Sequence, residues 1–155
     1  MRNLGPDEWQ IFRDIRLAAL KDAAYAFGST WERERGRTEE EWRAAVVSRT
    51  RFVAEADGQA VGMASVGEAG SSRAASVTSF WVHPQARGKG VGDALLLATV
   101  ETAREAGYDE LLLWVVETNE HAQRLYERHG FKRTGATQHV RPGDARVEYE
   151  MSRKL

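Results

Sequence analysis

Six consecutive apolar residues, Leu111-Leu112-Leu113-Trp114-Val115-Val116, stand between Asp109-Glu110 and Glu117. A strand with one wet face alternates apolar and polar residues, so an unbroken run predicts a central strand covered on both faces. Such a strand needs layers on either side, and the rest of the chain supplies them. Pro6-Asp7 opens a first helix, with Asp7 as N-cap and Ile11, Ile15, Ala18 and Ala19 as its buried stripe. Tyr25–Arg37 lacks a clean period and reads as a loop with some helical turns. Thr38 and Glu41 are spaced as a capping box for a second helix reaching about Ser48, with Trp42, Ala45 and Val46 inward.

From Arg51 the period changes. Phe52–Ala56 and Ala60–Val66 read as a hairpin about Asp57-Gly58, a pair that tolerates positive φ. A strand over Ala75–Val82 stops at His83-Pro84, because proline has no N–H for a ladder. Val91, Ala94, Leu95 and Ala98 recur at helical spacing within Gly90–Gly107. Asn119 caps a short helix carrying Ala122, Leu125, Tyr126 and His129 on one side, closed by Gly130. Two last strands, Lys132–Val140 and Ala145–Met151, flank the turn Arg141-Pro142-Gly143-Asp144. The order ααβββαβαββ defines an α/β fold: a mixed sheet with helices packed on it.

Composition bounds the function. The 155 residues match one ordinary domain, expected to span 1–155. With no cysteine there is no disulfide, thiolate metal site or cysteine nucleophile. A net charge of −1 provides no basic field for nucleic acid or an anionic membrane. No run approaches the ~20 apolar residues of a membrane span, and the charged start is no signal peptide, so a cytoplasmic location is expected. The four histidines show no ligand spacing, and no metal is implied.

The chemistry lies in Val82-His83-Pro84-Gln85-Ala86-Arg87-Gly88-Lys89-Gly90-Val91-Gly92-Asp93, which joins a strand to an amphipathic helix. Glycines at alternate positions allow a tight turn and close approach, and amides at a helix N-terminus attract anions. Arg87 and Lys89 add cationic side chains. The loop is either a pyrophosphate site or a glycine-rich surface turn. It is not a Walker loop, since Gly90 follows Lys89, nor a dinucleotide fingerprint, since Asp93 stands where the third glycine belongs.

Arg87-x-x-Gly90-x-Gly92 after a strand ending Val82-x-Pro84 resembles the acetyl-CoA pyrophosphate loop of the GNAT superfamily of N-acetyltransferases. Asn119, Ala122, Leu125-Tyr126 and Gly130-Phe131 resemble its second signature, with room for one helix and one strand between the two. The resemblance implies the GNAT fold, a mainly antiparallel sheet flanked by helices with splayed central strands. It also implies an acetyl-CoA cosubstrate, an amine acceptor and, as in many members, a homodimer.

The resemblance further implies roles for single residues. Phe80, Trp81 and Val82 would line the pantetheine arm, with the Val82 amide near the thioester oxygen. Gly88, Lys89, Gly90, Val91, Gly92 and Asp93 would wrap the pyrophosphate beside Arg87. Asn119 is a pantetheine contact, a plain N-cap, or both. Tyr126 is either the acid that assists thiolate departure or an apolar-face aromatic beside Leu125. Some relatives carry a general-base glutamate at the position of Trp114, which accepts no proton. Glu117, His83, His121, Glu148 or water are then the candidates. Phe27, Trp31 and Trp114 would wall the acceptor site, and Glu32 or Glu34 would attract a cationic amine.

Direct acetyl transfer to a primary amine of a small molecule or protein is the leading function. A non-catalytic acyl-CoA-binding module is the alternative. A pure interaction domain leaves the glycine loop unexplained.

Overall fold

The computed structural model describes residues 1–71 and 73–155. Asp57 and Gly58, at φ 52° and 78°, turn β2 (Thr50–Ala56) into β3 (Gln59–Ser71), so the expected hairpin forms and extends beyond both predicted ends. β3 pairs antiparallel with β4 (Ala74–Val82), and β4 runs parallel to β5 (Glu110–Val116). β6 (Lys132–His139) and β7 (Val147–Lys154) form the last antiparallel pair. With β1 (Arg2–Asn3), the sheet order is β1-β2-β3-β4-β5-β7-β6. The fold is the expected α/β architecture, mainly antiparallel and flanked by helices.

Two helical layers cover it. α1 (Trp9–Asp22) and α3 (Glu39–Val47) pack on the face carrying Val53, Met63 and Trp81, with the four-residue α2 (Trp31–Glu34) against α1. On the other face lie α4 (Val91–Glu105) and α5 (Glu120–Arg128). Leu96 and Val100 of α4 and Leu125 and Tyr126 of α5 share a core with Val77, Leu111, Leu113 and Val115. Thr38 and Glu41 form the expected capping box, with the Glu41 N–H donating to Thr38 Oγ1 at 3.2 Å.

Three expectations are corrected. Asp7 is no N-cap: Pro6–Glu8 forms a 3₁₀ turn, and Glu8 Oε1 accepts the Gly5 N–H at 2.9 Å. Ala18 is exposed, because the buried stripe of α1 runs Trp9, Phe12, Ile15, Ala19 and Leu20. The third concerns β5. Leu111, Leu113 and Val115 are buried beneath α4 and α5, whereas on the opposite face Val116 is buried but Leu112 and Trp114 are only half-buried. The core formed by α1 and α3 includes no β5 residue, and Trp114 fronts a cavity.

One residue in β4 is out of step with its neighbours. Met63 faces Trp81 and Ser65 faces Thr78, so Ala64 opposes both Ser79 and Phe80. This is a β-bulge, and Ser79 sits in the left-handed region at φ 52°. An extra residue reverses the in-out alternation. Ala75 and Val77 face α4 before the bulge, Phe80 and Val82 face it afterwards, and Trp81 turns toward α1.

The α1–α2 junction is ionic. Glu34 is only 1% exposed, yet its carboxylate receives Arg16 Nε at 3.0 Å and Arg16 Nη2 at 2.9 Å. Arg37 Nη1 stands 3.6 Å away. Burial alone would push the Glu34 carboxyl up, but the Arg16 hydrogen bonds and charge, helped by Ser29 and Arg37, hold it below the usual range. Removing one partner of such a buried pair strands the other. Glu34→Ala is therefore expected to lose about 3–5 kcal/mol of stability in urea titrations. Because the folded pKa lies below the unfolded one, the stabilisation is complete above the unfolded value of about 4.3. It disappears as pH falls through the folded value, so the gap between wild type and Glu34→Gln should narrow in acid.

Candidate active site

β4 and β5 pair only from Ala74–Ser76 against Glu110–Leu112 and then part. A cleft of about 610 Å³ opens at the carboxyl end of β4, between the N-terminal ends of α4 and α5. Its walls include Phe80, Trp81, Val82, Arg87, Gly88, Gly90, Val91, Gly92, Asp93, Asn119 and Tyr126. The structure thus brings together every residue expected at the acetyl-CoA site except Lys89, which is exposed beside the cleft and outside its lining.

Backbone geometry makes the lower wall an anion cradle. Gly88 and Gly90 take φ of 76° and 80°, which favour glycine, and Gly90 caps α4 from the left-handed region. The first helical bond at this end is Ala94 N–H to the Gly90 carbonyl, 3.1 Å. Among the described residues, no N–H from Gly88 to Asp93 donates to another protein group. These donors share the cleft mouth with the positive end of the α4 dipole. Asp93 is the acidic residue least expected beside a phosphate. His129 Nε2 at 2.8 Å and Arg128 Nη2 at 3.2 Å engage its carboxyl and hold it below its ordinary range, the His129 bond contributing most.

The upper wall is the end of β4. The His83 N–H donates to the Val61 carbonyl at 2.8 Å, which continues the β3 pairing. In an antiparallel ladder the intervening residue points its N–H to the opposite edge, so the Val82 amide faces the splay. The Val82 carbonyl accepts Arg87 Nε at 3.0 Å. Arg87 Nη2 also donates to Asp22 Oδ2 at 2.9 Å, and the same oxygen takes Trp81 Nε1 at 3.0 Å. The Arg87 side chain thus clamps the strand end to α1 while the residue lines the cleft. Asp22, which gave no signal in the sequence, is the hub of this clamp.

Asn119 Oδ1 accepts the Ala122 N–H at 3.2 Å, the expected N-cap, and the residue also lines the cleft. Tyr126 is held edge-on between Phe80 and Phe131, with ring centroids 5.8 and 6.1 Å away. Among the described residues its hydroxyl has no hydrogen-bond partner, and it is not sealed in the interior. Burial raises its pKa above the ordinary phenol value.

Phe27, Phe80, Asn119 and Tyr126 also line a second, adjoining cavity of about 270 Å³ with Arg16, Ser79, Trp114 and Glu148. Of the expected acceptor wall, Phe27 and Trp114 are here and Trp31 is not. The Trp31 ring is covered by Arg35 and Lys21, 4.7 and 5.3 Å from its centroid. Glu34, buried under Arg16, is unavailable to an amine. Of the four base candidates, only Glu148 lines this cavity; His121 lines the larger cleft. His83 caps the 3₁₀ turn after β4, and Glu117 receives the Tyr149 hydroxyl at 3.4 Å. Burial raises the Glu148 pKa against a smaller opposing effect of the Gln138 hydrogen bond. Arg16 went unnoticed in the sequence, although it follows Phe12 by four and Ile15 by one on a buried helical face.

The parallel strand pair splayed over unpaired amides at a helix terminus is the arrangement that the resemblance to the GNAT superfamily implies. The model of the acetyltransferase (GNAT) family matches residues 10–131, and the chain belongs to that family. A mycothiol acetyltransferase of Thermobispora bispora is 48% identical over 52 residues, 34% of this chain and 18% of the relative. Streptothricin acetyltransferase of Streptomyces lavendulae is 34% identical over 98 residues, 63% of this chain and 52% of the relative. The chain therefore spans about half or less of these curated relatives. The structure of yncA from Salmonella typhimurium with its cofactor acetyl-CoA has a TM-score of 0.81, over 99% of this chain and 92% of that one. At 22% identity it shows a shared fold.

The cradle fits acetyl-CoA: its amides are unpaired, and a Cβ at Gly90 meets nothing within 4 Å. Gly90→Glu should fold but lose at least about 30-fold in acetyl-CoA affinity by calorimetry, since like charges in contact cost several kcal/mol. Gly58→Glu, at a similar φ of 78° but remote from the cleft, is the matched control and should bind as wild type.

Proposed function

We propose that the chain, as one domain over residues 1–155, transfers an acetyl group from acetyl-CoA directly to a primary amine. The observation that carries this reading is the meeting of two cavities at Tyr126, one with the amide cradle and one with Glu148. When bound, acetyl-CoA supplies the activated thioester.

The chain's own groups divide the remaining work. Gly88, Gly90, Val91, Gly92 and Asp93 offer amides to the pyrophosphate. Phe80, Trp81 and Asn119 flank the arm that leads inward. The Val82 N–H, aimed into the splay, is a fixed donor for the thioester oxygen, a role typically worth about 3–4 kcal/mol. Glu148 takes a proton from the arriving ammonium, directly or through water, and passes it to solvent. The amine nitrogen then bonds to the acetyl carbon as the carbon–sulfur bond breaks. Tyr126 gives its proton to the departing sulfur, and the second proton that nitrogen sheds passes through solvent to the resulting phenolate, which restores Tyr126. One proton is released in all.

Tyr126→Phe is expected to lower kcat by about 10²–10⁴ while leaving the acetyl-CoA Kd within about threefold, because general acid catalysis contributes on that scale. Stopped thiol release with unchanged calorimetric binding is the expected result; a rate near wild type would return Tyr126 to a packing role. Glu148 must be ionised to act, so kcat/KM should fall on the acid side. Its raised pKa places that limb above the ordinary carboxylate value of about 4.3. Glu148→Gln should remove the limb from the pH profile. Acetyl-CoA binding without thiol release on any amine would favour the non-catalytic reading.

A further inference from the structure

The smaller cavity carries a charge asymmetry that bears on the acceptor. Resting on the amine-transfer reading above, we propose that the acceptor is a free α-amino acid whose carboxylate is bound by Arg16.

The guanidinium of Arg16 lines the cavity, and its side chain is only 14% exposed. Nε and one Nη2 hydrogen go to Glu34, and one Nη1 hydrogen goes to Ser79 Oγ at 3.2 Å. A guanidinium has five N–H groups. Among the described residues, two of Arg16's five have no protein acceptor. Glu34 does not neutralise the site, because Arg37 shares the same carboxylate. Arg51 adds a third cation: burial, then the like charges of Arg16, Arg49 and Arg37, depress it to about 10, so it stays charged at neutral pH. Of these charged groups only Arg16 lines the cavity, and its two remaining N–H groups are what an anionic ligand can satisfy there.

Glu148 supplies the opposite charge in the same cavity, whose lining also includes Trp114 and Phe27, the latter with its ring centroid 5.0 Å from the Arg16 guanidinium carbon. A carboxylate on Arg16 directs the neighbouring α-amine toward the region shared with Tyr126. Planar N–H pairs on a carboxylate favour arginine over a point charge. At about 270 Å³, the cavity falls just below the roughly 300–1,000 Å³ of drug-sized sites, which suits one amino acid.

The test needs no variant at first. Thiol release from acetyl-CoA is measured on the whole chain with the proteinogenic L-amino acids, their α-amides and their decarboxylated amines, and calorimetry checks acetyl-CoA binding separately. An amide's α-amine is the less basic, so at neutral pH intrinsic availability favours the amide over the acid. The expected result is nevertheless a kcat/KM about 10- to 100-fold higher for at least one free amino acid than for its amide or amine. That is the range of a lost charge-assisted hydrogen bond. Arg16→Gln should raise KM for that amino acid by a similar factor relative to its amide, so that the wild-type preference for the acid is lost.

Equal or better use of amides and simple amines would overturn the amino-acid assignment and leave amine transfer standing. Acetyl-CoA binding with no acceptor used would overturn both. If Arg16→Gln does not fold, the comparison of acids with amides on the wild-type protein decides the matter alone.

Discussion

The site depends on one residue out of step. The bulge at Ser79 places two residues opposite Ala64 and exchanges the faces of β4 midway along its length. Without it, Phe80 and Val82 would turn toward α1, and Trp81 would lie under α4. Left-handed backbone at a serine costs roughly 1–2 kcal/mol, so it persists only where the surroundings favour it. Arg16 donates to Ser79 Oγ from one side, and the Phe80 ring packs against Tyr126 on the other. The same bulge lies where β4 leaves β5, so cleft, cradle wall and smaller cavity share one origin.

Charge is arranged with equal economy. The chain is nearly neutral, with 22 basic and 23 acidic residues. The anion cradle works because the carboxylates nearest to it already have cationic partners. Asp93 is held by His129 and Arg128, and Asp22 by Arg87 and the Trp81 indole. Neither is left to oppose a phosphate with an uncompensated charge. Arg87 illustrates how a motif residue can carry structure: its guanidinium fixes the Val82 carbonyl and α1 at the edge of the cleft.

Much of this was legible in the sequence wherever local chemistry decides. The Asp57-Gly58 turn, the Thr38–Glu41 capping box, the Asn119 cap and the glycine loop each act over a few residues. What was not legible depends on partners distant in sequence. Asp7 has the composition of an N-cap, but Glu8 reaches Gly5 first. Trp31 has the composition of a pocket wall, but it is stacked under Arg35 and Lys21. Glu34 looked available to an amine until the fold buried it against Arg16, a residue 18 positions earlier. The apolar run at Leu111–Val116 identified the central strand and still misjudged its far face, because Trp114 serves a cavity and not a second helical layer. Ser79 carries no local sign at all.

Burial acts in the same direction on two titratable groups that line the smaller cavity, Tyr126 and Glu148. It raises the pKa of both Tyr126 and Glu148, since each is charged when deprotonated and the charged form is disfavoured away from water. For the tyrosine, the shift keeps the phenol protonated throughout the neutral range. For the glutamate, the shift makes the carboxylate a stronger base. One physical cause therefore leaves a protonated phenol and a more basic carboxylate lining the same cavity. The difference between them comes from the side chains' starting values of about 10 and about 4.3, not from any further machinery.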